Sequence, residues 1–562
     1  MGEWDSPGCG EARVPENAIL SFLDKLKAEG CLLHGFAMLD RGKLLAEGYW
    51  APFHKDALHR MYSVGKSFVS LAIGLLWEEG KLALDDPICR YFPEKCPKEG
   101  PHPWLAQLTI RQMLTMTTCH SRTTYKQYDG DWVESFFRVA PSNLPGAVFS
   151  YDTSATHVLS ALAERLSGRK LMEYLREKCL DQIGVSKEAY FIPDPSGVSQ
   201  GGSGLMCTLR DVLSVAELVM NEGVFRGREL VPAEYIREAA ACQVKTSHQQ
   251  AYDEQFGYGY QIWRGRHHSF YFYGIGGQLA VCLPREQFIL VTMGNTLENK
   301  NGIKDIFDAF YDIIYPWIGY EVRDVPVLNG EKGKAVRRDC GELAARVAGL
   351  SLAQYSQGAS AGETAFEGRK TEETVSEGAE TKGNASEGAE SGGQTFNATE
   401  FRSSISEGAE SKSEYQEAFW RGEFAWIGRK YSFDDNKLKI SGLCVTCDGE
   451  GRRGCLSLEK GGRSSRLFFG MDTYVQQKFP WTEAWRPWER GYCSDAECCC
   501  QGILDSADML LLRCYILGPE MANLVIVLQF QEHGVTVKMQ KGIENGLQHF
   551  EGAASGMSVL NT

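Results

Sequence analysis

The chain has no run of about 20 uncharged apolar residues, the length a helix needs to cross a bilayer, so a helical membrane protein is not expected. It is also short of positive charge: 59 Lys and Arg face 73 Asp and Glu, a formal net charge of -14. Such a surface repels phosphate backbones and anionic headgroups, so neither a nucleic acid nor a membrane is expected as a partner. The opening residues, MGEWDSPGCGEARVPENAIL, carry acids where a secretory signal needs bases, and they lack an apolar run. Met1-Gly2 with Ser6 matches a bare myristoylation pattern, but Glu3 and Asp5 fit it poorly.

Histidine is missing between Cys444 and Cys500, which removes the usual nitrogen ligands from the most cysteine-rich part of the chain. Cys444 and Cys447 have a Cys-x-x-Cys spacing, with Cys455 and the Cys493 to Cys500 group downstream. Their surroundings read as strand, so the thiols are taken as structural and no metal is expected. Cys498, Cys499 and Cys500 are consecutive, a placement that disulfide geometry does not favour. A reducing, cytoplasmic compartment is the expectation.

What is present is the composition of a globular protein, 43% apolar and 23% charged, in a chain of 562 residues that exceeds one ordinary core. Residues 351–415 change character: Ser, Gly, Ala, Glu and Thr dominate, and Ser-Glu-Gly-Ala-Glu recurs at 376–380, 386–390 and 406–410. This stretch has too few apolar residues to offset the entropy of ordering it, and it is expected to be a disordered acidic linker. The division expected is therefore a first domain over 1–345, the linker, and a second domain over 416–562.

In the first domain helix and strand patterns mix. Met206 to Glu222 shows the apolar recurrence of an amphipathic helix, while Ser269 to Tyr273, Leu279 to Leu283 and Phe288 to Met293 read as strands separated by turn signals. An antiparallel sheet flanked by helices, the α+β class, follows. In the last domain the alternation in Lys437 to Val445, Ser464 to Phe469, Met509 to Leu517 and Asn523 to Phe530 predicts an all-β barrel or sandwich.

The chemistry concentrates at Ser63-Val64-Gly65-Lys66. The segment VGKSFVSLAIGLLW is apolar on nearly every helical face and stops at Glu78-Glu79-Gly80, so it predicts a buried helix with Gly80 at its C-terminus. Ser63 falls at the N-terminal turn, and a spacing of three brings Lys66 to the same face. A buried ammonium is costly unless it is paired or gives up its proton, and a desolvated lysine can activate a serine. Backbone N–H groups at the same helix end could stabilise an oxyanion. The pattern alone is weak, since Ser-x-x-Lys should occur by chance roughly twice in such a chain. Ser167 to Lys170 and Ser457 to Lys460 also satisfy it, but one surrounds Gly168 at a helix end and the other lies in a strand-like run. Gly197-Val198-Ser199-Gln200-Gly201 follows Pro193 and Pro195 rather than a strand, so a nucleophile elbow is not expected there.

MYSVGKSFVSLAIGLLWEEGKLALDDPI resembles the nucleophile helix of class C serine β-lactamases and of their esterase and D-peptidase relatives, the penicillin-binding-protein-like hydrolases. LTIRQMLTMTT, PGAVFSYDTSATHVLSALAERLSG, GGSGLMCTLRDVLSVAELVMNEG and YFYGIGGQLAVCLPREQFILVTMGN resemble later segments of that family in the same order, over about residues 30 to 300. The resemblance implies a β-lactamase/transpeptidase-like fold with Ser63 as nucleophile, Lys66 as its activator and Tyr151 as second base and proton donor. It also implies an oxyanion hole from the N–H groups of Ser63 and Ile275, after Phe272-Tyr273-Gly274, and no cofactor. His157 is expected as a structural residue on the helix after Tyr151, and Asp211 at the start of its own helix. GILDSADMLLLRCYILGPEMANLVIVLQFQEHGVTVKMQKG resembles the lipocalin-like β domains attached to some of these hydrolases.

Two positions depart from the family pattern. Tyr-x-Asn becomes Tyr-x-Thr at Thr153, and the third motif, Lys-Thr-Gly or His-x-Gly, becomes Phe272-Tyr273-Gly274. Threonine lacks the paired donor and acceptor of an asparagine amide, and without the motif lysine a substrate carboxylate loses its ion partner. The function expected is a serine hydrolase acting through an acyl-enzyme at Ser63 on small esters, with other amides or β-lactam-like molecules as poorer substrates. The alternatives are a β-lactamase or D-amino-acid peptidase and, from another class, a non-catalytic ligand-binding sensor. The oligomeric state is left open.

Overall fold

The computed structural model describes residues 4–6, 12–128, 130–296, 299, 301–319, 342–351, 409–450, 452–471, 473–481, 493, 495–517, 522–542, 547 and 550–559. At the centre of the first unit is a six-stranded antiparallel sheet: β1 (Leu33–Asp40), β2 (Lys43–Tyr49), β3 (Trp263–Arg264), β4 (Phe270–Gly274), β5 (Gln278–Leu283) and β6 (Phe288–Gly294). The spatial order is β2-β1-β6-β5-β4-β3, with Ala37 of β1 opposite Val291 of β6. Two strands from the start of the unit thus join four from its end, and the helical residues in between form an insertion on one side.

Strands β1, β5 and β6 are buried on both faces. Alternating side chains therefore feed two separate cores. Ala37, Leu39, Ala280, Cys282, Ile289 and Val291 face the helical insertion. Phe36, Met38, Leu279, Val281 and Leu290 face α1 (Glu16–Ala28) and the helical stretch containing Phe307 and Phe310. In the insertion, α2 (Gly65–Glu78) is buried almost throughout, as its unbroken apolar run predicts, and Gly80 beyond it takes φ 68°. Next to α2 packs α3 (Thr153–Ser167), while α4 (Leu209–Met220) packs on β1, β5 and β6. The helix expected from Met206 begins only at Leu209. Leu205–Cys207 is a short strand paired with His59–Arg60, and a capping box between Thr208 and Asp211 sets the helix start. His157 lies on α3, buried, with Nε2 2.9 Å from Asp194 Oδ2.

The first unit runs beyond the expected limit of 345. Helix α5 (Glu342–Ala348) is followed by buried Leu350, whose carbonyl accepts from Ala51 N at 3.1 Å, and Ser351 is bridged to Ala51. Residues 352–408, most of the expected linker, lie outside the described residues. Its last part is helical instead: α6 (Ala409–Trp420) starts inside the stretch read as linker, because AESKSEYQEAFW is rich in Ala, Glu, Lys and Gln. This helix delivers Phe419 and Trp420 into the second core.

That core fills a ten-stranded antiparallel sheet running from Lys430–Ser432 to Gly552–Ser558, rolled into a nearly closed barrel. A bridge between Gly470 and Gln501 helps close the seam, and Gln477 donates to Phe468 O at 2.6 Å while accepting from Phe468 N at 3.0 Å. The strand expected from Lys437 begins at Ile440, because Lys439 turns through φ 56°. Cys498, Cys500 and Cys514 point into the barrel core, and Cys444 and Cys447 lie on the Ile440–Asp448 strand. Tyr515 alternates with inward Cys514 and faces out, yet it is buried in the cluster that contains Tyr151 and Tyr273, so the barrel's outer wall packs on the first unit.

The tightness of α2 is directly testable. A Cβ on Gly74 would stand 2.5 Å from the buried Tyr235 ring, whose hydroxyl pairs with Ser70 Oγ at 3.0 Å. Alanine is normally better than glycine inside a helix by about 1 kcal/mol. Here the clash should win, so Gly74→Ala is expected to destabilise by roughly 1–3 kcal/mol. Calorimetry reads this as a lowered Tm, and a raised Tm would show that the ring gives way freely.

Candidate active site

The site is built on a turn under strain. Tyr62 has φ 47°, a left-handed conformation for which a bulky side chain is unsuited and which costs about 1–3 kcal/mol. Its surroundings hold it there. The ring is buried with the Arg60 guanidinium 4.7 Å from its centroid, and Arg60 Nε donates to Ser203 O at 2.9 Å. Ser63 follows in a single tight turn, Tyr62–Val64, and α2 proper starts at Gly65. A Cβ on Gly65 would meet Gly201 O at 2.8 Å, so α2 approaches the 201–204 segment backbone to backbone.

That close approach decides what surrounds Lys66. Its side chain is 1% exposed, and Nζ lies 2.8 Å from Ser63 Oγ and 2.6 Å from Gly202 O. Burial pulls the ammonium down to about 7, against the opposing attraction of Asp152. A group with this value is substantially a neutral amine at neutral pH. With one hydrogen directed at Gly202 O, its lone pair can accept from the Ser63 hydroxyl. Nζ also lies 4.9 Å from the centroid of the Tyr151 ring. Tyr151 stacks on Trp263 with centroids 5.8 Å apart, and burial raises its hydroxyl well above the ordinary value while a hydrogen bond to Ser63 opposes the rise.

Thr153 is the first residue of α3, and its Cγ2 would lie 2.6 Å from a Cβ on Gly202, so the Lys66 acceptor must be glycine. On the opposite edge, β4 sends Phe270 and Phe272 into the core beneath the helices, while Tyr271 and Tyr273 project from the other face. Phe272 is therefore not brought to the site, whereas Tyr273 joins Tyr151. A Cβ on Gly274 would fall 2.2 Å from Met61 O, which binds the end of β4 to the chain just before Ser63. Ile275 comes next; its carbonyl accepts from Gln278 Nε2 at 2.9 Å, and its N–H makes no hydrogen bond within the described residues. The competing serines are occupied or misplaced. Ser199 Oγ donates to Glu164 Oε1 at 2.6 Å, Ser167 ends α3, and Ser457 lies on the Arg453–Lys460 strand.

Two carboxylates at the site carried no sequence signal of function. Asp152 caps α3, with Oδ1 accepting from Ser154 N at 2.8 Å and from the Ser154 hydroxyl, while buried Oδ2 has no hydrogen-bond partner. Burial raises it to about 6, opposed by those hydrogen bonds and by Lys66. An Asp just before a helix announces only a cap. Glu254 lies in a loop without any motif, and its charge reaches Tyr151 and Tyr273. Among the described residues no group of three or more His, Cys, Asp or Glu is arranged to hold a metal ion, and no helix is long and apolar enough to cross a membrane.

Residues 28–310 match the Beta-lactamase family profile, and the chain belongs to that family. A curated relative, the 6-aminohexanoate-dimer hydrolase of Paenarthrobacter ureafaciens, is 25% identical over 221 residues, 37% of this chain and 56% of that protein. Esterase EstB of Burkholderia gladioli is 32% identical over 184 residues, 29% of this chain and 46% of that protein. The chain thus spans about half the length of the curated relatives it matches. Among solved structures, a putative 6-aminohexanoate-dimer hydrolase from Bacillus anthracis superposes with a TM-score of 0.44 at 21% identity, covering 52% of this chain and 81% of its own.

The Asp152 and Lys66 pair makes a signed prediction. The carboxylate favours the protonated lysine, so Asp152→Asn should lower the Lys66 value further while preserving the helix cap. The rate of Ser63 labelling by a fluorophosphonate should show an acid limb near pH 7 in the natural chain and at lower pH in the variant. A limb that stays put or moves up would show that the two groups are not coupled.

Proposed function

We propose that the chain is a serine hydrolase that forms an acyl-enzyme at Ser63 and acts best on small esters. The observation that carries this reading is the 2.8 Å contact between Ser63 Oγ and the Nζ of a buried lysine. Lys66 as amine takes the proton when Oγ attacks the carbonyl carbon. The developing oxyanion is received by the N–H groups of Ser63 and Ile275, the second of which makes no other hydrogen bond among the described residues. Tyr151, hydrogen-bonded to Ser63, passes a proton to the leaving group and later takes one from the water that releases the acyl chain, while Lys66 returns its proton to Ser63 Oγ. Thr153 and Tyr273 line the substrate side. No step calls for a metal or cofactor.

The preference for esters follows from what the rim no longer offers. A β-lactam or D-peptide presents an acyl-side amide and a carboxylate. A site lacking the asparagine amide and the motif lysine forfeits a neutral hydrogen bond worth about 0.5–1.5 kcal/mol and a charge-assisted one worth about 1.5–3 kcal/mol. Together that is roughly thirtyfold to a thousandfold. An activated ester needs less of this help because its alkoxide leaves with little protonation.

The test is a comparison of kcat/KM on one preparation, with Ser63→Ala as blank. Short-chain p-nitrophenyl esters should exceed penicillins and D-alanyl peptides by about a hundredfold or more. Lys66→Ala should lose roughly a hundredfold or more on the esters. A penicillin hydrolysed as well as the best ester would overturn the substrate preference, and full activity in Ser63→Ala would overturn the nucleophile.

A further inference from the structure

We infer that Glu254 makes this site selective for substrates that carry an ammonium group close to the scissile bond, an inference that rests on the hydrolase reading of Ser63. Glu254 closes a short turn, Tyr252–Glu254, whose position is set by its neighbour. Asp253 is held in a two-pronged ion pair by Arg266, with contacts of 2.7 and 2.8 Å, and Arg266 also reaches Asp308 at 2.9 Å. The Tyr271 hydroxyl donates to Asp253 O at 2.8 Å. Tyr271 stacks on Trp263 with ring centroids 6.3 Å apart and Trp263 stacks on Tyr151 at 5.8 Å, so the clamp on Tyr271 sets the turn that carries Glu254 at the end of a ring stack that reaches Tyr151.

The scaffolding is thus done by Asp253, and Glu254 takes no part in it. It is half-buried; its N–H donates to Ala251 O at 3.0 Å, and its carboxylate makes no hydrogen bond or ion pair within the described residues. Burial, helped by the charge of Asp253, raises its carboxyl to about 7. The ionisable groups within its electrostatic reach are Asp253 and the hydroxyls of Tyr151, Tyr271 and Tyr273, none of them cationic at neutral pH. Arg266 is spent on Asp253 and Asp308, and Lys66 is turned toward Ser63 and Gly202. A partly desolvated carboxylate with no partner is an unfavourable arrangement that a bound cation would relieve. Aromatic faces favour the same ligand at Tyr273 and at exposed Phe256 on the same loop, whereas the Tyr151 ring already holds Trp263 and Lys66 and the Tyr252 ring holds the Arg266 guanidinium 5.0 Å from its centroid. A substrate carboxylate in the same place would be repelled by Glu254.

The full-length chain can be assayed with two ester pairs in which a quaternary nitrogen is replaced by carbon at constant shape. One pair places the cation in the alcohol, choline butyrate against 3,3-dimethylbutyl butyrate. The other places it in the acyl chain, p-nitrophenyl 4-(trimethylammonio)butanoate against p-nitrophenyl 5,5-dimethylhexanoate. With uncatalysed rates divided out, the cationic member of at least one pair should lead by about tenfold or more in kcat/KM, as one well-placed charge pair allows. Glu254→Gln should bring that ratio to within about twofold of one, and Glu254→Lys should reverse it. A ratio near one in both pairs for the natural chain, or a preference that survives Glu254→Gln, overturns the inference while leaving the hydrolase reading intact. Failure of all four esters to react overturns that reading, and this inference with it.

Discussion

The burial of Lys66 is the constraint around which the first unit is arranged. An amine at 1% exposure has to be desolvated, given an acceptor and kept from pairing fully with a carboxylate, all within one helical turn of Ser63. Its surroundings meet each demand with a different element. The body of α2 removes water, Gly202 O accepts one hydrogen, and Asp152 stands within electrostatic reach while both of its hydrogen bonds go to Ser154. Had Asp152 been free to form a full ion pair, the lysine would remain charged and be useless as a proton acceptor. The helix cap occupies one oxygen of the carboxylate and holds the group in place.

Close backbone approach is the second condition. Gly65 against Gly201, Gly202 against Thr153 and Gly274 against Met61 bring α2, α3 and β4 together at distances that a side chain would prevent. Three elements far apart in sequence thereby meet at one hydroxyl, and the strain at Tyr62 is held by the packing they create. The β4 edge leaves the Ile275 N–H without a hydrogen bond among the described residues, which is what the proposed oxyanion role requires.

What could be read from residue order is what periodicity and local chemistry control. The unbroken apolar run of α2 announced a buried helix, and the single lysine within it stood out for that reason. The alternation in β4, β5, β6 and the barrel strands was equally plain. Less legible were features set by tertiary contact. The start of α4 moved to Leu209 because Leu205–Cys207 found a strand partner in His59–Arg60. The helix at Ala409 was hidden by the repeat that precedes it. Asp152 looked like a cap, and only the fold shows that its free oxygen is buried near Lys66; Glu254 looked like any loop acid until its neighbour Asp253 was seen to take the Arg266 guanidinium. Phe272 went the other way, since its place in the motif suggested the site whereas strand alternation sends it into the core.

The central claim is that Ser63 becomes covalently acylated, and intact-mass spectrometry after a rapid acid quench tests it most directly. With a short-chain activated ester in excess, one acyl mass increment should appear on the chain and map to the peptide carrying Ser63, and it should decay when substrate is exhausted. Turnover without any adduct, or an adduct on Ser199, would contradict the account.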